Sequence, residues 1–76
     1  MIRKYHLTSE RESYYTLIFD DDGKMFVNEY KDFDQPYKKP RSTDIPPENF
    51  GNFKLEEGTL KELVVKKLGQ ILPPSN

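Results

Sequence analysis

The residues of this chain that could carry out chemistry have the spacing of no familiar catalytic or metal site. His6 is the single histidine and the chain contains no cysteine. This excludes a two-histidine metal site, a cysteine-based zinc site and a thiol nucleophile. The run Asp20-Asp21-Asp22-Gly23 is acidic enough for calcium, but it lacks the alternating ligands and the distal glutamate of an EF-hand. We therefore predict that this run is a turn.

The remaining carboxylates and hydroxyls also favour structural roles. The adjacent pair Glu56-Glu57 precedes a predicted helix start, where negative charge is stabilising. The four serines lie in no Gly-x-Ser-x-Gly motif, and the four glycines form no phosphate-binding loop. We therefore expect a protein without enzymatic activity, with no catalytic residue, no metal and no cofactor.

One cluster of basic residues has aromatic neighbours. It consists of Phe33, Tyr37, Lys38, Lys39 and Arg41. In single-strand-binding proteins, cations of this kind hold phosphates while an aromatic ring stacks on a base. Acidic residues flank the cluster, and the formal net charge of the chain is -1, whereas dedicated nucleic-acid binders are usually basic. A solvated loop is therefore our first interpretation, and a nucleic-acid-binding loop is the alternative.

The clearest element that could position functional residues is a β-hairpin over residues 13–30. Both arms are rich in β-branched and aromatic residues, and Asp20-Asp21-Asp22-Gly23 separates them. A three-residue loop at residues 21–23 pairs Phe19 with Met25, and a two-residue loop at residues 22–23 is the second-ranked alternative. The three-residue loop divides the hairpin between two faces. One face holds Tyr15, Leu17, Phe19, Met25 and Val27, and the other holds Tyr14, Thr16, Ile18, Phe26, Asn28 and Tyr30.

The flanking segments complete the predicted fold. Residues 2–8 form a first strand, residues 33–49 an irregular proline-rich crossover, and residues 50–55 a short fourth strand as one alternative. Thr59 to Glu62 form a capping box that opens a helix, and Gly69 ends it with a left-handed cap. The helix presents an apolar stripe of Leu60, Leu63, Val64, Leu68 and Ile71. We expect residues 71 and 72 to fold back on the sheet, and residues 73–76 to form a tail.

These elements define an α+β fold class: a three- or four-stranded antiparallel sheet, a β-meander, with one C-terminal amphipathic helix packed on one face. The chain has 76 residues, which is enough for a single small domain, predicted over residues 1–72. Apolar residues make up 34% and charged residues 33% of the chain, but aromatic residues reach 13%, which favours a folded domain over disorder. The lack of cysteine and of any long apolar run leads us to expect a cytoplasmic protein without a membrane segment.

The hairpin face with Tyr14, Ile18, Phe26 and Tyr30 is a candidate binding surface, because one helix covers only one side of a small sheet. Contiguous apolar patches on monomers usually mark a contact surface. One possibility is that the crossover covers this face with Phe33, Tyr37, Ile45 and Phe50. The other is a second copy of the chain, or another protein, docked on a tyrosine-rich surface. We favour a homodimer, with Tyr14, Ile18, Phe26 and Tyr30 as the partner-binding residues.

A hairpin followed by the run Gly58-Thr59-Leu60-Lys61-Glu62-Leu63, which opens a helix, resembles the strand-strand-helix unit of HicB-type antitoxins. The resemblance covers six residues, and the proline-rich segment between hairpin and helix departs from the compact spacing of that family. It therefore transfers no functional residue to this chain. The resemblance implies only that a small ββα unit of this kind can act by binding another protein.

Overall fold

The computed structural model describes residues 1–71, and it has the expected α+β architecture. Four antiparallel strands form one sheet in the order β1-β2-β3-β4, and a C-terminal helix packs against it. The sheet strands are β1 (Arg3–Glu10), β2 (Ser13–Phe19), β3 (Met25–Lys31) and β4 (Arg41–Ile45). A 3₁₀ helix (Pro47–Asn52), two short strands β5 (Lys54–Leu55) and β6 (Gly58–Thr59), and helix α1 (Leu60–Ile71) follow.

The β2–β3 hairpin has the predicted register. Leu17 lies opposite Val27 and Phe19 lies opposite Met25. The Gly23 N–H donates to the Asp20 carbonyl at 3.1 Å, and Gly23 has a φ of 80°, a conformation that glycine adopts without steric cost. The Asp20 carboxylate also accepts from the backbone N–H of Lys24 at 2.9 Å. The three-residue loop is therefore confirmed, and the two-residue alternative is wrong.

The first strand is longer than expected and contains a bulge. It starts at Arg3 and extends to Glu10, beyond the predicted end at residue 8. The pairing with β2 shifts between His6 and Thr8, so that Leu7 and Thr8 both pack toward the helix side of the sheet. A bulge of this kind places one extra residue opposite its partner strand and bends the bulged strand. Here it sends two consecutive side chains toward the core.

The crossover differs from the prediction because part of it is a strand. Residues 41–45 form β4 and pair with β3, with Ile45 opposite Val27. The sequence pattern missed this strand because Ile45 is its one apolar residue, so no alternation marks it. The fourth strand predicted over residues 50–55 is wrong. Phe50 lies in the 3₁₀ helix, which starts at Pro47, and β5 pairs with β6 in a separate two-stranded sheet.

Helix α1 begins as predicted and ends later. The Glu62 N–H donates to the Thr59 hydroxyl at 3.2 Å, and the Thr59 N–H donates to the Glu62 carboxylate at 3.3 Å. The capping box is therefore confirmed. The left-handed cap at Gly69 is wrong, since the helix continues through this residue to Ile71. A glycine inside a helix costs only about 1 kcal/mol. The predicted positions of residue 72 and of the tail at residues 73–76 lie outside the described residues.

The core lies between the sheet and the helix, on the face predicted for it. Leu17, Val27 and Leu60 are fully buried, and Val64 lies beside them. The buried hydrophobic cluster also contains residues from the crossover and from the 3₁₀ helix. In full it consists of Tyr15, Leu17, Val27, Ile45, Phe50, Leu60 and Val64. Helix α1 and the 3₁₀ helix thus cover one face of the sheet, and the opposite face carries the candidate functional residues.

Candidate functional site

The strand register defines the side of the sheet that faces away from helix α1, which we call the open face. Residues paired directly across antiparallel strands lie on the same face, and successive residues alternate. The open face therefore contains eleven side chains from the four strands. These are Lys4, His6, Ser9, Tyr14, Thr16, Ile18, Phe26, Asn28, Tyr30, Ser42 and Asp44.

The four predicted partner-binding residues all lie on the open face. Tyr14 is opposite Tyr30, and their rings are 6.5 Å apart at an angle of 43°. These two side chains are 45% and 39% exposed, although they lie on the two central strands. Ile18 is opposite Phe26, and both are half-buried. The structure thus brings the four residues together as two apolar rows on the two central strands.

Polar side chains lie between and beside these apolar rows. Thr16 and Asn28 form the row that separates them, as the hairpin register predicts. The Asn28 side-chain amide donates to the Ser42 hydroxyl at 2.7 Å and to the Asp44 carboxylate at 3.0 Å. These bonds connect β3 to β4 across the open face. Sequence reasoning missed Ser42 and Asp44 because it did not identify β4.

The basic side chains of the open face lie at one edge, and its acidic side chain lies at the other. Lys4 and His6 lie on the β1 edge, and Asp44 lies on the β4 edge. All three side chains are exposed. The sequence contained the alternation that places Lys4 and His6 on one side of a strand, but it did not give the register of β1 against the hairpin. The bulge at Leu7 shifts that register by one residue, so an alternating pattern with a period of two cannot predict it.

The crossover does not cover the open face in the way that the sequence suggested. Ile45 and Phe50 are 5% and 4% exposed and belong to the core on the helix side of the sheet. Tyr37 is 78% exposed. Phe33 lines two shallow hollows at the end of the sheet, one beside Tyr15 and one beside Tyr14. The possibility that all four residues wrap across the second face is therefore wrong, because Ile45 and Phe50 enter the core on the helix side.

The basic cluster of the crossover lies in the loop before β4 and at the first residue of that strand. The Lys38 ammonium lies 5.2 Å from the centre of the Phe33 ring, a cation–π distance. Arg41 lies opposite Lys31, on the helix side of the sheet rather than on the open face. Lys39 and Tyr37 are exposed in the loop before β4. The structure thus brings Lys38 and Phe33 together, but it separates Arg41 from the open-face tyrosines.

The hollow beside Tyr15 that Phe33 lines is polar and has a volume of about 300 Å³, and the sequence predicted no site there. Its lining consists of Glu10, Arg11, Glu12, Ser13, Tyr15, Lys31, Phe33 and Glu56. The Tyr15 hydroxyl donates to the Glu29 carboxylate at 2.8 Å. Burial and then this contact with Glu29 raise the pKa of Tyr15 to about 12. The phenol therefore stays protonated at neutral pH and serves as a hydrogen-bond donor within the fold.

Residues 1–71 hold neither a candidate metal site nor a helix that could span a membrane. Over this part of the chain, histidine, aspartate and glutamate side chains form no group of three or more with the geometry to hold a metal ion. Helix α1, with 12 residues, is the longest helix in the same range, and none there is long and apolar enough to cross a membrane.

Comparisons with known proteins add no assignment. The chain has no significant match among protein-family models, curated proteins or solved structures. No comparison therefore supports the resemblance of residues 58–63 to HicB-type antitoxins. Any proposal about function rests on the geometry of the open face.

Proposed function

We propose that this chain is a non-enzymatic protein-binding domain that self-associates through the open face. The observation that carries the proposal is the pair of exposed tyrosines, Tyr14 and Tyr30, which lies on the same face as half-buried Ile18 and Phe26. The only long helix within residues 1–71 packs on the opposite side. A second copy of the chain would cover these residues.

The chemistry of these side chains suits a protein interface better than a solvated surface. Tyrosine offers a large apolar contact area, and its hydroxyl can still bind water or a partner at the rim. Aromatic residues are enriched in interface cores, whereas lysine and glutamate are depleted. The two central strands follow this pattern on the open face, where they carry Tyr14, Ile18, Phe26 and Tyr30 and no charged residue. The charged residues of the open face, Lys4 and Asp44, lie on the outer strands.

The free edges of the sheet are less suited to binding than its open face. Proteins protect exposed strand edges with bulges, charged residues, prolines and short strands. Strand β1 contains the bulge at Leu7 and carries Arg3 and Lys4 at its start. Strand β4 has only five residues, and Pro40 and Pro46 flank it. Both edges thus have features that oppose strand addition, which leaves the open face as the better contact surface.

The size of the open face sets the expected strength of association. Four strands about 4.8 Å apart and about seven residues long, at about 3.4 Å per residue, give a flat area of roughly 450 Å². A standard stable interface buries about 800 Å² on each partner. A flat face of this size is typical of small, transient interfaces rather than of permanent ones. We expect a reversible dimer whose population rises with protein concentration.

The double variant Tyr14→Ser/Tyr30→Ser tests the proposal. Both side chains are substantially exposed, so their removal should leave the fold intact and lower the dimer population at every concentration. Sedimentation velocity from the low micromolar to the near-millimolar range measures this. Tyr37→Ser is the matched control, because Tyr37 is 78% exposed but lies in the crossover loop. A wild-type chain that stays monomeric over the whole range would overturn the proposal.

The alternative function, nucleic-acid binding through Tyr37, Lys38, Lys39 and Arg41 with Phe33, draws support from the exposure of Tyr37 beside three cations. The same Tyr37→Ser variant tests it. If the alternative holds, a labelled single-stranded oligonucleotide binds the wild type with an affinity that falls steeply with salt, and Tyr37→Ser weakens the binding. Absence of binding at low salt would remove this alternative.

A further inference from the structure

We infer that the second copy docks on the open face in one orientation, with the β1 edge of each sheet lying over the β4 edge of the other. This inference rests on the proposed function, since it specifies how the self-association occurs. It requires a two-fold axis that runs between the two sheets and nearly parallel to the strands. The division of charge between the two edges of the open face selects this axis.

The strand register supplies the first step of the argument. His6 lies opposite Thr16, Thr16 opposite Asn28, and Asn28 opposite Asp44, so these four residues form one row across the sheet. A two-fold axis parallel to the strands keeps each row at the same position along the strand direction. It places β1 of one copy over β4 of the other. His6 of each copy then meets Asp44 of the other copy.

Lys4 strengthens the same contact. It lies two residues before His6 on the same face of β1, about 7 Å along the strand. The flexible four-carbon stem of a lysine lets its ammonium extend toward an acceptor at this distance. Within the four strands, Lys4 and Asp44 are the carriers of full opposite charge on the open face. Each dimer would contain two symmetry-related contacts between the β1 and β4 edges.

The apolar rows fit the same orientation. Because each row keeps its height, the Tyr14–Tyr30 row of one copy packs on the Tyr14–Tyr30 row of the other, and the Ile18–Phe26 row packs on its own equivalent. The polar Thr16–Asn28 row likewise meets its equivalent. In this arrangement the tyrosines of the two copies contact each other, and Ile18 of one copy contacts Phe26 of the other. Thr16 and Asn28 can form hydrogen bonds across the interface. No apolar row faces a polar one.

An axis perpendicular to the strands gives a poorer interface. That axis places β1 over β1 and β4 over β4, so Asp44 meets Asp44 of the other copy. Like charges brought together across an interface are unfavourable and serve to reject such arrangements. The charge pattern of the face therefore favours the parallel axis over the perpendicular one.

Charge reversal tests the orientation with two single variants, Asp44→Lys and Lys4→Glu. In the inferred dimer each variant faces a like charge on its own second copy, so each should self-associate about tenfold or more weakly than the wild type. An equimolar mixture should recover wild-type association, because both contacts of the mixed dimer then pair opposite charges. Sedimentation velocity of each variant and of the mixture measures this. Glu57→Lys is the control, since Glu57 is exposed in the turn between β5 and β6.

A conservative variant separates charge from local structure. Asp44→Asn removes the charge but keeps an oxygen acceptor for the Asn28 amide, so a smaller loss of association than in Asp44→Lys is expected. Unchanged association of Asp44→Lys, or a mixture that fails to recover, would overturn the orientation. If the Tyr14→Ser/Tyr30→Ser variant still loses the dimer in that case, the proposed function stands. A monomeric wild type would instead overturn the proposed function itself.

Discussion

The two faces of the β2–β3 hairpin are built from neighbouring residues of similar character, but they have different fates. Leu17 is fully buried and Tyr15 is 5% exposed, whereas Tyr14, the residue before Tyr15, is 45% exposed. Ile18 follows Leu17 and is only half-buried. Both faces are apolar enough to be buried, and the difference is that helix α1 and the segment before it, with Phe50 and Phe53, pack on one side. The composition of the strands therefore makes both faces apolar. The packing of the remaining elements decides which of the two faces is buried.

The largest expected effect contrasts Leu17→Ala with Ile18→Ala. Leu17 is fully buried beneath the helix, so its truncation leaves a cavity and should lower the free energy of unfolding by about 3 kcal/mol. Ile18 lies on the open face, so its truncation should cost about 1 kcal/mol or less at concentrations where the chain is monomeric. Urea denaturation at low protein concentration measures both values.

Concentration dependence provides the control for this contrast. At high concentration Ile18→Ala should also lose the extra stability that dimer formation gives the wild type, whereas the cost of Leu17→Ala should stay nearly constant. Equal costs for the two variants at low concentration would contradict the assignment of one covered and one open face.

The adjacent tyrosines give the second contrast. Tyr15→Phe removes the hydroxyl that donates to Glu29 and should lower the free energy of unfolding by about 1.5 kcal/mol at neutral pH. Tyr14→Phe changes an exposed side chain and should change it by no more than about 0.5 kcal/mol. Thermal denaturation of both variants in parallel measures the difference.

The pH dependence sharpens this contrast. The pKa of Tyr15 rises in the folded state from 10.0 to about 12, so the folded protein binds the phenolic proton more tightly than the unfolded chain. The stabilisation is fully present below pH 10 and is lost as the pH rises toward 12. Tyr15→Phe should lack this alkaline loss, whereas Tyr14→Phe should keep it. Identical alkaline profiles for the wild type and Tyr15→Phe would contradict the assignment.

The smallest expected effect concerns the element that covers the core face. Thr59→Ala removes the capping hydroxyl that accepts from Glu62 and should lower the free energy of unfolding by about 1 kcal/mol. Thr59→Ser retains a hydroxyl at the cap and should recover most of this loss. Because the helix lies away from the open face, neither variant should change self-association under conditions where both are folded. A changed dimer population would show that the two faces are coupled.

The elements that the sequence predicted are those specified by local chemistry. The hairpin followed from the acidic turn and Gly23, and the helix start followed from the capping residues Thr59 and Glu62, since both signals act over about four residues. Strand β4 was missed because main-chain pairing with β3 stabilises it, and its side chains are exposed apart from Ile45. Predicting β4 required the position of β3, because the residues of β4 form no strand pattern by themselves.

For the candidate site, the sequence determined which hairpin residues share a face, because alternation and loop length fix that division once the strands pair. It therefore placed Tyr14, Ile18, Phe26 and Tyr30 together. Only the tertiary structure decided that Ile45 and Phe50 enter the core and that Asp44 joins the open face, because a non-local pairing sets the direction of each side chain in β4. Local chemistry acts between residues close in sequence, whereas the assembly of this surface depends on contacts between segments that are distant in the chain.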